Sequence, residues 1–149
     1  MKETKLQFDG IKAVFGFESR TQLKRPLLGS SLPAGFPSPA TDYIEATLDL
    51  NEHLVRHPAA TYFVRVEGDS MLGAGIHHDD ILIVDRALEP ANGRVVVAAV
   101  DGYLTVKRLR TNGPRWRLVP ENPRYEEIVI EEGTDFAVWG VVTYVIHPV

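Results

Sequence analysis

Arg94-Val95-Val96-Val97-Ala98-Ala99-Val100-Asp101-Gly102-Tyr103-Leu104-Thr105-Val106-Lys107-Arg108-Leu109 is the stretch whose reading decides the fold. Two runs rich in Val and other strand formers meet at Asp101-Gly102, a dipeptide suited to the positive φ of a tight hairpin, so an antiparallel pair is expected. Working outward, residues 61–66, 80–84, 115–119, 127–130 and 137–146 carry the same strand composition, and Asn112-Gly113-Pro114 marks a second hairpin. Residues 43–49 read as extended. Residues 49–58 read as one short helix, with Asp49 as its cap and Pro58 as its stop. Many short strands against a single helix predict a mainly β body, a folded antiparallel barrel-like assembly.

The chain has 149 residues, enough for one domain with an ordinary core. Four prolines, three serines and two glycines crowd residues 26–39, which therefore read as a linker. Residues 1–34 hold six basic and three acidic side chains, net +3, and residues 35–149 hold ten and seventeen, net −7. This predicts a basic arm, residues 1–34, on an acidic domain, residues 35–149. The arm's Ile11, Val14, Phe15 and Phe17 are too few to make a core, so the arm is expected either to dock or to be flexible, with solvated flexibility the simpler reading.

The net charge of −4 argues against strong direct DNA binding. With no cysteine there is no disulfide framework, thiolate nucleophile or cysteine-bound metal, and a cytoplasmic setting is expected. No apolar run is long enough for a membrane span, and no signal core is evident.

Gly68-Asp69-Ser70-Met71 follows a strand and places a serine hydroxyl among turn amides, a setting that suits a nucleophile with an oxyanion hole. A serine needs a base. None of His53, His57, His77, His78 and His147 has a persuasive local setting, whereas Lys107 lies in a strand where alternation groups it with Tyr103, Thr105 and Leu109. Burial disfavours an ammonium, so a covered strand lysine can supply a neutral amine. Read alone, Gly-Asp-Ser is also an ordinary turn, and a strand lysine can also snorkel into water.

Taken together these segments resemble the LexA and UmuD family of self-cleaving serine peptidases. The resemblance rests on residues 34–40 (Ala-Gly-Phe-Pro-Ser-Pro-Ala), 62–64 leading into Gly68-Asp69-Ser70-Met71, 80–85, 98–109, 118–125 and 138–142, in family order. It implies Ser70 as nucleophile, Lys107 as general base, Thr105 as the lysine's supporter, and backbone amides around Asp69, Ser70 and Met71 as oxyanion donors. It further implies scission at Ala34-Gly35; Ala74-Gly75 lacks the following Phe-Pro and is read as a decoy. Where the family often has Asp-Gly-Asp, this chain has His78-Asp79-Asp80, so that turn is expected to be reshaped.

An arm of 34 residues is too short for a helix-turn-helix domain, which places the resemblance on the UmuD rather than the LexA side. That side implies a homodimer, cleavage stimulated by a RecA nucleoprotein filament, and service of the trimmed form to a UmuC-type DNA polymerase in error-prone translesion synthesis during the SOS response. The competing readings are a non-catalytic dimeric adaptor, marked by an unperturbed Lys107, and the remnant of a LexA-type transcriptional regulator. A signal peptidase would need a membrane anchor. A metal hydrolase on His53 and His57 lacks the His-Glu-x-x-His glutamate, and His77-His78-Asp79-Asp80 reads as a solvated turn, so neither a metal nor a cofactor is expected.

Overall fold

The computed structural model describes residues 6–18, 22–28 and 44–149. They form two compact units: residues 6–17 with 57–149, and residues 18–56 as far as described. The larger unit contains strands β1 (Gln7–Asp9), β2 (Ile11–Gly16), β5 (Thr61–Val66), β6 (Ile81–Asp85), β7 (Val95–Val100), β8 (Tyr103–Arg110), β9 (Arg117–Val119), β10 (Ile128–Val129) and β11 (Phe136–Ile146). The smaller contains β3 (Lys24–Leu28), β4 (Ile44–Asp49) and helix α1 (Leu50–Leu54).

The larger sheet runs β10-β9-β8-β7-β11-β6-β5-β2, antiparallel between neighbours, and β1 adds to β8 in parallel. One residue, Gly10, joins β1 on β8 to β2 on β5, strands that stand well apart in the sheet order. A one-residue link spans only a few ångströms, so the sheet must curl until β5 and β8 face each other across a seam. The barrel-like architecture follows from that connection. Gly10 makes the turn at φ 71°, in the left-handed region that glycine enters without penalty.

Alternation along the strands divides the core between two sides of the sheet. Val97, Leu104 and Val106 pack with Ile11, Val64, Leu82 and Val84, whereas Val96, Ala98, Val100 and Leu109 pack with Leu118 and Val141. Each fully buried aliphatic side chain contributes about 1.5–3 kcal/mol. Strand β11 serves both β7 and β6, and its register slips between Val138 and Gly140 and again between Val142 and Tyr144. At the first slip only glycine fits: a Cβ on Gly140 would stand 2.6 Å from Val84 Cγ1.

Of the two states open to the arm, residues 7–16 take the docked one, and the flexible reading does not apply to them. The cause is Ile11, which alone among the arm's described apolar side chains is fully buried, together with the backbone pairing of β2 to β5. Phe17 adds an edge-to-face contact with Phe63, ring centroids 5.6 Å apart.

In the smaller unit β3 and β4 pair antiparallel, with Pro26 opposite Thr47. The linker reading therefore does not hold for residues 26–28: a two-stranded ribbon has an open side on each strand, where a proline is tolerated. Asp49 caps α1 as expected, accepting from Asn51 N–H at 2.9 Å and also from Leu23 N–H at 3.0 Å. The helix ends at Leu54, and Pro58 opens a short 3-10 turn instead of stopping it. The expected scission bond, Ala34-Gly35, lies outside the described residues.

Candidate active site

Closure of the seam sets the chain leaving β5 against the middle of β8. On that edge of β8, β1 pairs with Tyr103–Thr105 and β9 with Arg108–Arg110, so Val106 and Lys107 fall between the two partner strands. Lys107 is buried, its side chain 5% exposed. Its Nζ donates to Thr105 Oγ1 at 2.9 Å, to the Val106 carbonyl at 3.1 Å and to Ser70 Oγ at 3.4 Å. Burial pushes the ammonium pKa below the ordinary lysine value; the Asp9 carboxylate, 4.0 Å away, works in the opposite direction.

The Ser70 turn is fastened from its carbonyl side. Ser70 C=O accepts from Glu121 N–H at 2.9 Å, and Asp69 C=O from Asn122 Nδ2 at 2.9 Å. Among the described residues no peptide is cis, and in a trans unit the N–H points opposite the C=O. Anchoring those two carbonyls therefore turns the amides of Ser70 and Met71 away from residues 121–122. The Asp69 carboxylate accepts from Tyr125 Oη at 2.6 Å, a bond that raises the tyrosine's pKa.

Ser70, Lys107, Asp9, Glu67, Asp69 and Glu126 are among the residues lining a cleft of about 260 Å³. None of the five histidines lines it. The structure thus brings Ser70, Thr105 and Lys107 together as the sequence suggests. It gives Asp69 the job of fastening the turn, and it buries the Met71 side chain in the core so that only its backbone can serve the site. His57, set aside above as a metal ligand, bonds Asp85 Oδ2 at 2.6 Å.

Sequence reasoning missed Asp9, Asn122 and Tyr125. Asn122 before Pro123 carries a weak turn signal. Asp9 carries none, because its place depends on a parallel pairing with β8; its Oδ2 accepts from Thr105 Oγ1 at 3.3 Å across 96 positions of sequence.

Comparison with known proteins identifies the family. Residues 26–143 match the family described as Peptidase S24-like. The chain belongs to this serine peptidase family. It is 49% identical to the protein SamA of Salmonella typhimurium over 126 residues, covering 85% of this chain and 87% of that protein. It is 47% identical to the protein ImpA of Escherichia coli over 125 residues, 83% of each. It is also 41% identical to the LexA repressor of an Azoarcus species, over 78% of this chain and 56% of the repressor. Among the described residues no helix is long and apolar enough to cross a membrane, which leaves β-strand spans unaddressed.

Proposed function

We propose that this S24-family chain is a self-cleaving endopeptidase in which Ser70 is the nucleophile and Lys107 the general base. The carrying observation is a buried lysine amine 3.4 Å from a serine hydroxyl on a fastened turn. Neutral Lys107 takes the Ser70 proton as Oγ bonds to the Ala34 carbonyl carbon. The amides of Ser70 and Met71 receive the oxyanion. The bond to Gly35 breaks as Lys107 passes the proton to the departing amine. Water, deprotonated in turn by Lys107, then releases the Ala34 carboxylate and restores Ser70. Thr105 positions the amine, and Asp9 opposes its neutral form.

Residues 1–34 are the fragment cut away and residues 35–149 the peptidase and dimerisation domain. Cutting and release are separate events, because β1 and β2 remain paired with β8 and β5 until they unzip. The similarity to SamA and ImpA over most of their length supports a role beside UmuD-type mutagenesis factors. In that role a cytoplasmic homodimer is cut under stimulation by a RecA nucleoprotein filament, and the trimmed form joins a UmuC-type polymerase for translesion synthesis. The depressed Lys107 pKa speaks against the idle adaptor.

The test incubates the purified chain with RecA, single-stranded DNA and nucleotide at neutral pH, beside Ser70→Ala. Filament-dependent appearance of fragments 1–34 and 35–149 in the wild type alone supports the proposal. Wild-type chain that stays whole while an S24 relative is cut in the same mixture overturns it.

A further inference from the structure

Strand β6 has a histidine–aspartate pair at each end, and the two ends differ. At its C-terminal end Asp85 bonds His57, and its other oxygen accepts from Ala87 N–H at 2.8 Å. At its N-terminal end Asp80, fully buried, meets two imidazoles. His147 Nδ1 lies 2.6 Å from Oδ1, and His77 Nδ1 lies 3.6 Å from Oδ2, which also accepts the His77 backbone N–H at 2.7 Å. The rings of His77 and His147 stand 4.4 Å apart between centroids.

We infer that His77, Asp80 and His147 form a binding site for a divalent transition-metal ion of the Zn(II) type. One nitrogen from each imidazole and one carboxylate oxygen all lie within 4.8 Å of one another. Around tetrahedral zinc, with bonds of about 2.0–2.2 Å, ligand atoms stand about 3.3 Å apart, so modest side-chain adjustment closes the set. The carboxylate is already oriented by a backbone amide, the kind of support that metal ligands require. Both imidazoles are nearly half exposed, 47% and 42%, which gives an ion a path in and leaves its fourth position to water. Two nitrogens and one oxygen favour zinc-like ions over magnesium, which demands oxygen.

The contiguous run His77-His78-Asp79-Asp80 supplies only two of the three ligands. His147, 67 positions away, completes it by lying at the end of β11 beside the start of β6. The ion would tie the chain after β11 to the turn before β6. These residues do not line the Ser70 cleft, so the inference stands independently of the proposed peptidase.

Isothermal titration of the full chain with Zn(II) alone, and with Mg(II) alone, tests it. One equivalent of zinc and no magnesium binding are expected. His77→Gln and His147→Gln, each checked for folding by circular dichroism, should weaken zinc by at least about tenfold, the scale on which even supporting partners matter. His57→Gln and Asp79→Asn should leave it unchanged. Histidine-ring NMR of the wild type should show zinc-dependent shifts at His77 and His147. Absence of saturable one-to-one binding, binding unchanged in both folded histidine variants, or shifts confined to other rings overturns the inference.

Discussion

The turn carrying Ser70 and the arm, through Asp9 at the end of β1 and Gly10, border the same cleft, yet they are held by different means. The turn is tied to residues 121–125 by bonds to Ser70 C=O, Asp69 C=O and the Asp69 carboxylate, all within the body of the domain. The arm is held by strand pairing and by the fully buried Ile11 side chain, and it brings a carboxylate, Asp9, to the lysine. In the proposed mechanism the body builds the reactive pair, and the arm loads it with an opposing charge. A chain that cuts its own arm would therefore remove a brake on its own base.

The largest effect expected from breaking the body's side of this contrast is total. Lys107→Arg keeps charge and bulk but cannot yield a neutral amine, so self-cleavage should fall below detection by intact mass. Cleavage retained in that variant removes Lys107 from the mechanism. Asn122→Ala should slow cleavage by about tenfold, since the anchored turn aims the oxyanion amides and one such donor matters by roughly two to three orders of magnitude. Tyr125→Phe should act in the same direction and less, because Asp69 can turn to water. Rates unchanged in both variants would show that the turn does not need residues 121–125.

On the arm's side, Ile11→Ala should cost about 2–5 kcal/mol of unfolding free energy, read by denaturant titration of the uncut chain. A loss below about 0.5 kcal/mol would mean that the arm adds little to the barrel. The smallest effect concerns Asp9→Asn. Removing the carboxylate lowers the lysine pKa further, so the rise of cleavage with pH should move to lower pH and the neutral-pH rate should increase a few-fold. The gain is modest because Asp9 is 60% exposed and water screens its charge. A profile that stays in place, or moves to higher pH, would deny Asp9 the braking role.

How much of this could be read from the chain differs residue by residue. Residues 94–109 announced their hairpin because a Val-rich period of two and Asp-Gly are local signals, and β7 and β8 follow them within a residue. Ser70 and Lys107 could be nominated from turn chemistry and strand alternation, and the family resemblance joined them. The barrel seam could not be read, because it depends on β1 meeting β8 in parallel, and residues 7–9 carry no pattern that names that partner. Pro26 misled for the opposite reason: its local signal favours a loop, yet an open-sided ribbon tolerates it. His147 likewise gives no hint of Asp80, since only the pairing of β11 with β6 brings them together.

The central claim, that a desolvated Lys107 activates Ser70, is tested most directly by the pH dependence of spontaneous cleavage without a filament. Its depressed pKa places the neutral, active form at lower pH than an ordinary lysine of about 10.4 would allow. Intact mass over time, from neutral pH to about pH 10, should show scission after Ala34 whose rate climbs through one dominant pKa and then levels, with none in Ser70→Ala. A flat rate across that range, or fragments that persist in Ser70→Ala, would contradict the account.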